Sequence, residues 1–302
     1  MMTAAPLVSI LVISMNHARY ISYCIESILE QDYPNFEVLY LDNASHDSTY
    51  EKGMLLLNDS PRLTYHKKQT ESAGICRNLN HLLAQAKGKY CTFISADDFM
   101  LPGRIKNQVE EIIKPTEHYG VVYSDALLVD DENNFLQQTF MQKLGREISN
   151  SSSVYHDLLE GNFIPAMSTL VERSLIGRVG GFDESLIYED HDMWLKLSQE
   201  CKFFLMDKPQ VVYRITPNSL EKKMGEKGLT DKIDIYYRQL GNNEFRPLVL
   251  GKIGAYTNHL YNYDYSAFKD YAKKYLALQF NLKTVIFLSL SYLGIPLFKT
   301  KK

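Results

Sequence analysis

Residues 90–98 read YCTFISADD, and this stretch decides the predicted fold. Tyr90 to Ser95 form a predicted strand, and Asp97 and Asp98 follow it almost directly. The strand follows Gly88, which ends a predicted helix whose apolar residues are Ile75, Leu79, Leu82, Leu83 and Ala86. In open α/β sheets, ligands bind beyond the carboxyl ends of the strands. A functional site is therefore expected where this strand meets its two carboxylates.

Two further strands are predicted upstream. Val8 to Ile13 is a nearly continuous apolar run, typical of a strand covered on both faces. Phe36 to Leu41 is a second such strand, and it leads into Asp42-Asn43-Ala44-Ser45. Between the two lies one apolar helix stripe: Ile21, Cys24, Ile25, Ile28 and Leu29. The alternation predicts parallel βαβ units.

The downstream chain adds further elements. A strand is predicted at Gly120 to Tyr123, and a hairpin tip at Asp130 to Asn134. The polar, poorly periodic residues 143–162 are predicted to form a loop over the site. After Tyr213 the chain becomes helical. Two apolar stripes each predict a helix. Their residues are Ile105, Val109, Ile112 and Ile113, and later Phe268, Tyr271, Ala272, Tyr275 and Leu276.

Bulk properties exclude several classes of protein. The 302 residues suffice for one large domain and a small appendage. The net charge of −3 and the scattered lysines argue against a nucleic-acid partner. The four cysteines show no CxxC spacing, so a zinc site or disulfide framework is not expected. No secretion signal precedes Val8. A reducing, cytoplasmic location is predicted.

The adjacent carboxylates Asp97 and Asp98 repel one another unless a cation or hydrogen-bond donors share their charge. Mg²⁺ and Mn²⁺ suit such a position, because they accept few protein carboxylates together with substrate phosphate oxygens. The alternative is that Asp98 caps the next turn while Asp97 is solvated.

A second acidic cluster reads EDHDMW from Glu189 to Trp194. Capping of a helix start explains one or two of its carboxylates but not all three. A base that removes a hydroxyl proton needs such a group within reach of the acceptor. Asp42 could accept a hydrogen bond from a base or ribose, or simply form an Asx turn. Arg77 and Arg214 could clamp phosphate, although a surface role is commoner for an arginine.

Taken in order, these motifs resemble the inverting family-2 glycosyltransferases from Val8 to about Ser219. Residues 8–16, VSILVISMN, look like the opening strand of that family, and Asp42-Asn43-Ala44-Ser45 is similar to its DDGS. Residues 95–104 resemble the DxD site, with Ser95 in place of its first aspartate. The other matches are the A-R-N element at 76–78 with Cys76 for alanine, GGFDE at 180–184, ED-x-D-x-W at 189–194, and YR-x-H-x-x-S at 213–219 with Thr216 for histidine.

The resemblance implies roles for particular residues. Asp190 is implied as the catalytic base. Asp97 and Asp98 are the implied metal ligands, for Mn²⁺ or Mg²⁺. Candidates for acceptor or diphosphate contact are Glu189, Asp192, Trp194 and Arg214. The nucleotide-binding residues implied are Ser14, Asn16, Asp42, Arg77 and Asp97.

The resemblance also implies a GT-A-type α/β fold with a mixed, mainly parallel central sheet flanked by helices. Residues 1–219 would form the catalytic domain and residues 220–302 a helical extension. The implied partners are a nucleoside-diphosphate sugar, with a UDP-sugar favoured, and a glycan or lipid-linked glycan acceptor of surface polysaccharide or cell-envelope synthesis.

The final apolar segment, Thr284 to Phe298, is shorter than the roughly 20 residues that cross a bilayer as a helix. With lysines behind it, it could lie peripherally on the inner face of the cell membrane, or pack on the domain as a C-terminal helix.

Two other functions remain open on sequence. A nucleotidyltransferase or metal-dependent phosphohydrolase also places acidic loops at strand ends, but leaves the 189–194 cluster without a role. A nucleotide-sugar-binding module without catalysis would account for Ser95 and Thr216.

Overall fold

The computed structural model describes residues 5–115, 117–150, 153–187, 189–216 and 225–295. The chain divides into two compact units. The first contains Met1–Glu184 and Glu189–Pro217, and the second contains Ser185–Tyr188 and Asn218–Lys302. The predicted boundary after Ser219 lies outside the described residues.

Eleven strands are defined within these ranges. They are β1 Val8–Ser14, β2 Phe36–Asp42, β3 Leu63–Lys68, β4 Tyr90–Ser95, β5 Phe99–Met100, β6 Tyr119–Tyr123, β7 Ala126–Val129, β8 Phe135–Thr139, β9 Leu170–Glu172, β10 Lys202–Leu205 and β11 Val211–Arg214.

The α-helices of the first unit are α1 Ile21–Leu29, α2 Thr49–Leu57, α3 Ile75–Gln85, α4 Arg104–Ile112, α5 Phe140–Lys143, α6 Val154–Glu160, α7 Arg173–Arg178 and α8 Glu189–Leu197. Those of the second unit are α9 Gly225–Arg238, α10 Arg246–Leu260, α11 Tyr265–Leu276 and α12 Leu282–Tyr292.

The described strands form a seven-stranded sheet in the order β10-β6-β9-β4-β1-β2-β3. β1 pairs in parallel with β2 on one side and β4 on the other, so that Ser14 lies opposite Asp42 and Ile13 opposite Ser95. The short strand β9 runs antiparallel to β4 and β6, which makes the sheet mixed. The prediction of a mainly parallel central sheet is confirmed, and the three polar strand ends lie at one edge.

Burial explains why these segments adopt this arrangement. Every residue of β1 and of β2 is buried, as expected for central strands covered on both faces. The apolar stripe of α1 is buried as well, and packs with β1 and β2 in one core cluster. Helices therefore cover the sheet as the apolar spacing predicted.

A smaller sheet, in the order β5-β11-β7-β8, fixes the chain just after β4. β11 pairs antiparallel with β5, and parallel with β7. This pairing brings Arg214, the last residue of β11, beside the Asp97-Asp98 turn. The predicted hairpin tip is confirmed, because Asp130 to Asn134 connects the antiparallel strands β7 and β8.

Several elements differ from the sequence-based expectations. The segment 143–162, predicted as a loop, contains helix α6, whose start is capped by the hydroxyl of Ser153 accepting from the His156 amide. The helix α2 and the strand β3 were not predicted. β3 is an edge strand with mostly exposed residues, so it lacks the apolar pattern of its neighbours.

The second unit is helical, as predicted. In α11 the side chains Phe268, Ala272 and Tyr275 are buried, in agreement with the predicted stripe. Among the residues described, none of the helices has both the length and the apolar character needed to span a bilayer.

Candidate functional site

The loops that follow β1 and β2 are joined by hydrogen bonds. The amide of Asn16 donates to Ser45 Oγ at 2.9 Å, and the amide of His46 donates to Asn16 Oδ1 at 2.9 Å. The amide of His17 donates to Thr49 Oγ1 at 2.7 Å. These contacts pair a donor of one loop with an acceptor of the other, so the two loops form one continuous surface at the carboxyl edge of the sheet.

Asp42 organises the second of these loops. Its carboxylate is fully buried and accepts from Ser14 Oγ at 2.7 Å, from the Ser45 amide at 2.9 Å and from Ser45 Oγ at 2.6 Å. Asp42 and Ser14 are thus neighbours, as their register requires. The bond from the Ser45 amide spans three residues, so it is a local side-chain-to-backbone bond but not the two-residue Asx turn considered from the sequence.

Two residues of these loops have an unusual backbone conformation. Asn16 has φ of 58° and Ala44 has φ of 60°. The left-handed region is accessible to asparagine but costs alanine about 1–2 kcal/mol. Ala44 stands where DDGS has glycine, so the glycine of that motif matches a backbone requirement of this turn.

Asp97 is the carboxylate of this edge with an unused oxygen. Its Oδ2 lies 3.9 Å from His17 Nε2, and its side chain is 19% exposed. Its Oδ1 is buried with no hydrogen-bond partner among the described residues, and the same is true of His17 Nδ1. Unpaired buried polar atoms are rare in native proteins, and a ligand is one way to satisfy them.

Asp98 faces the other way. It is 2% exposed, and its Oδ1 accepts from the amide of Arg214 at 2.8 Å. Burial, and then the charge of Asp97, raise the pKa of the Asp98 carboxyl well above its ordinary range. Asp98 therefore faces the protein interior, and Asp97 is the better placed of the two to bind a ligand.

Arg214 holds the Asp97-Asp98 turn in place. Its guanidinium is buried, with Nε donating to the Asp97 carbonyl at 2.9 Å and Nη1 to the Asp130 carbonyl at 3.0 Å. It also lies over the ring of Tyr20, with its central carbon 4.6 Å from the ring centroid. Its Nη2 is buried with no partner among the described residues.

The acidic cluster predicted at 189–194 begins helix α8. Asp190 accepts from Asn162 Nδ2 at 2.6 Å and from the His191 amide at 2.7 Å. Burial, and then the charge of Asp190, raise the pKa of Glu189 to about 8. Asp192 is buried and lies 2.5 Å from Lys196 Nζ.

Trp194 anchors the same helix. It is 1% exposed, and its indole Nε1 is buried with no partner among the described residues. A buried side chain of this size fixes the position of α8 through packing.

The residues that precede α3 are bonded to the end of β2. The amide of Ala73 donates to Asn43 Oδ1 at 2.8 Å, which fixes the residues before α3 against the end of β2. Cys76, in the first turn of α3, has a pKa of about 12, raised by burial and then by the charges of Glu189, Asp183 and Asp192. The carboxylates at the start of α8 therefore act electrostatically on the first turn of α3.

Arg77 takes a different position. Its Nε lies 3.1 Å from Glu184 Oε2, and its side chain is 68% exposed. The guanidinium is thus paired at the surface rather than directed at the strand-end loops. Two residues that sequence reasoning did not single out, His17 and Asn162, contact Asp97 and Asp190 respectively.

The residues at this edge fit a cation bound mainly through its substrate. Within the described ranges, no group of three or more histidine, cysteine, aspartate or glutamate side chains could hold a metal ion. Asp97 nevertheless offers a buried, unpaired carboxylate oxygen. Mg²⁺ and Mn²⁺ often use one or two carboxylates and complete their coordination with phosphate oxygens and water.

A groove of about 600 Å³ lies at the opposite edge of the sheet. It is lined by Tyr90 and Tyr119, the first residues of β4 and β6, and by Cys201. None of the predicted site residues belongs to it.

Comparisons with known proteins agree with this architecture. Residues 9–159 match the family described as "Glycosyl transferase family 2". A similar curated protein is the GalNAc(5)-diNAcBac-PP-undecaprenol beta-1,3-glucosyltransferase of Campylobacter jejuni, 27% identical over 210 residues, which cover 70% of this chain and 65% of that protein. The chain spans less than two thirds of the length of the curated relatives it matches first.

Two solved structures share the fold. TarS 1-349 of S. aureus in complex with UDP-GlcNAc has a TM-score of 0.63 at 16% identity, covering 94% of this chain and 79% of that one. The mannosyltransferase PcManGT of Pyrobaculum calidifontis, in complex with GDP-Man and Mn²⁺, has a TM-score of 0.61 at 20% identity, covering 97% and 81%. The fold is that of GT-A enzymes, and the chain belongs to glycosyl transferase family 2.

Proposed function

We propose that this chain transfers a sugar from a nucleoside-diphosphate sugar to a hydroxyl group of a glycan, with inversion at the anomeric carbon. The observation that carries the proposal is the unpaired, buried oxygen of Asp97 beside the joined loops that follow β1 and β2. The joined loops after β1 and β2 provide a polar surface, called here the nucleotide floor, and Asp97 provides one carboxylate for a diphosphate-bound cation.

Nucleotide binding is assigned to the loops at the ends of β1 and β2. Ser14 and Asn16 would line this floor, and Asp42 would shape it, since its carboxylate already accepts three hydrogen bonds from Ser14 and Ser45. Arg77 would reach a nucleotide only by exchanging its ion pair with Glu184.

The cation, Mn²⁺ or Mg²⁺, would be held by Asp97, and when bound it would neutralise charge growing on the departing diphosphate. Asp98, predicted as a second ligand, is assigned a supporting role, because it accepts the Arg214 amide. Arg214 would contribute its unpaired Nη2 to the diphosphate side of the site.

The chemical step is a single displacement with Asp190 as the base. The acceptor oxygen forms a bond to the anomeric carbon as the bond from that carbon to the diphosphate oxygen breaks. The hydroxyl proton passes to the Asp190 carboxylate, whose orientation is fixed by Asn162 and by the His191 amide. Glu189, Asp192 and Trp194 are proposed to support this helix start and the acceptor beside it.

Donor and acceptor are proposed by class. A UDP-sugar is the favoured donor, supported by the UDP-GlcNAc complex of TarS, while the GDP-Man complex of PcManGT makes a GDP-sugar the alternative. The group transferred would be a hexose or an N-acetylhexosamine. The acceptor would be a glycan or lipid-linked glycan of polysaccharide synthesis, and the name of the Campylobacter relative supports a lipid-linked one. We place the protein in the cytoplasm, peripherally at the membrane.

The test is an assay against a panel of nucleotide sugars with Mn²⁺, comparing the wild type with Asp190→Asn and with the exposed-site control Asp59→Asn. The proposal is supported if the wild type and Asp59→Asn transfer sugar with inversion at the anomeric carbon, while Asp190→Asn loses this transfer activity. Release or formation of a nucleoside monophosphate would indicate a nucleotidyltransferase or phosphohydrolase instead. Binding without turnover would indicate a binding module, the outcome to which Ser95 points.

A further inference from the structure

In the final described helix, the buried side chains are polar, while several large apolar side chains are exposed. In α12 the buried side chains are polar: Thr284 is fully buried, and Ser291 is 3% exposed. Thr284 Oγ1 donates to Asn258 Oδ1 of α10 at 2.9 Å. The large apolar side chains Leu282 and Ile286, in contrast, are 63% and 48% exposed. A helix that packs on a soluble domain normally directs its apolar stripe inward.

Further exposed apolar side chains lie on α12 and in the residues beside it. Leu282 and Ile286 of α12 and Leu293, directly after it, follow at helical spacing on one side, with the exposed Ser289 between them. Phe280, just before the helix, is 75% exposed. We call this surface the apolar face; its exposed members are Leu278, Phe280, Leu282, Ile286, Tyr292, Leu293 and Ile295. Monomeric soluble proteins rarely expose many large apolar side chains close together, so a cluster of them indicates an interaction site.

Lysines border the apolar face. Lys269 Nζ lies 4.7 Å from the ring centroid of Tyr292 and Lys273 Nζ lies 5.9 Å from it, while Lys283 Nζ lies 5.4 Å from the ring of Phe287. The sequence from residue 262 to 302 has seven lysines and two aspartates, with no glutamate or arginine, although the whole chain has a net charge of −3. The cationic character is therefore local to this part of the chain.

We propose that the apolar face docks on a bilayer that contains anionic lipid, with α12 lying parallel to the membrane plane. The 11 residues of α12 extend about 17 Å, well short of the ~30 Å hydrocarbon core. Apolar side chains would enter the boundary between headgroups and acyl chains, and the bordering lysines would contact lipid phosphates.

Charge favours a membrane over a second copy of this chain. A two-fold contact of the apolar face with itself would bring the lysine borders of both copies together. Like charges at an interface oppose association. Anionic headgroups complement the same lysines, and lipid is the partner with the matching chemistry.

The experiment is flotation of the full chain with vesicles of phosphatidylcholine containing about 30% phosphatidylglycerol, and with vesicles of phosphatidylcholine alone. The wild type is expected to float with the anionic vesicles, and to be released by roughly 0.5 M salt. Ile286→Ser/Leu293→Ser and Lys269→Glu/Lys273→Glu are each expected to lower the partition coefficient at least about tenfold. Matched controls are Leu55→Ser, at an exposed leucine of α2, and Lys106→Glu/Lys208→Glu.

Undiminished flotation of either variant pair at the apolar face would overturn the proposal, as would equal binding to neutral vesicles. A wild-type dimer in light scattering without lipid, converted to monomer by Ile286→Ser/Leu293→Ser, would make a second copy the occupant. Thermal melting checks that each variant is folded. Flotation measures binding alone, so a negative result would leave the transfer assay unaffected.

Discussion

His17 Nε2 lies 3.9 Å from Asp97 Oδ2, and each of these side chains has one further buried polar atom without a partner in the described structure. The two residues come from loops after adjacent strands, β1 and β4, so the sheet itself sets their separation. We propose this pairing as the part of the site where a diphosphate and its cation bind.

Asp97→Asn is expected to lower the rate of sugar transfer by roughly 10²–10³-fold, because electrostatic stabilisation of the leaving diphosphate is lost. The activity that remains should depend less steeply on Mn²⁺ concentration. Steady-state rates across a Mn²⁺ titration measure both effects. Asp59→Asn, at an exposed position after α2, is the matched control. An unchanged Mn²⁺ dependence in Asp97→Asn would remove Asp97 from the cation site.

Asn162→Ala should lower kcat about tenfold, with little change in KM for the donor, because the amide orients the Asp190 carboxylate at 2.6 Å rather than binding substrate. The control is Asn150→Ala, which loses an amide bonded to both the amide and carbonyl groups of Leu205, but contacts no site carboxylate. That variant should lose stability and keep its kcat. Equal losses of kcat in both variants would mean that Asn162 acts only through folding.

Ala44→Gly is expected to destabilise the protein by about 1–2 kcal/mol less than Ala86→Gly, since only Ala44 has a left-handed backbone. The two alanines are equally buried, at 7% exposure each, and Ala86 has φ of −67°. Urea unfolding of both variants gives the difference. Equal destabilisation would contradict the strain assigned to the loop after β2.

The stability difference between Glu189→Gln and the wild type should grow as pH rises from 5 to 8.5. Burial raises the pKa of Glu189 from 4.5 to about 8, so the folded protein holds this proton more tightly than the unfolded chain. The resulting stabilisation is complete below the pKa that Glu189 has in the unfolded chain. It is lost as the pH rises through the pKa that Glu189 has in the folded protein. Glutamine remains neutral and does not lose it.

Melting temperatures at several pH values measure this effect. Glu184→Gln is the control, because its hydrogen bonds from Asn80 and Arg77 lower the pKa of Glu184 and place its titration below this range. Its difference from wild type should therefore stay constant. Parallel pH curves for Glu189→Gln and the wild type would contradict the raised pKa.

The order of elements could be predicted wherever burial imposes a pattern. The strands β1, β2 and β4 are apolar runs because both faces are covered. The end of each run therefore shows which polar residues lie at the edge of the sheet. β3 and α6 were missed for the opposite reason. One is an exposed edge strand, and the other is a short helix in a polar segment, so neither has a clear periodicity.

The directions of the site carboxylates could not be predicted in the same way. Whether Asp98 or Asp97 faces a ligand depends on the amide of Arg214, which lies 116 residues away and arrives through the pairing of β11 with β5. Asn162 had no sequence signal, because its partner Asp190 is brought to it only by packing of α6 and α8. Such contacts depend on tertiary structure rather than local spacing.

The hydrogen bonds between Asn16, Ser45, His46 and Thr49 have a consequence for how a donor would be recognised. A surface that is already assembled before a ligand arrives loses little conformational entropy on binding. Preference among nucleotides would then be altered by exchanging individual side chains on this preorganised floor, rather than by changing how its loops close.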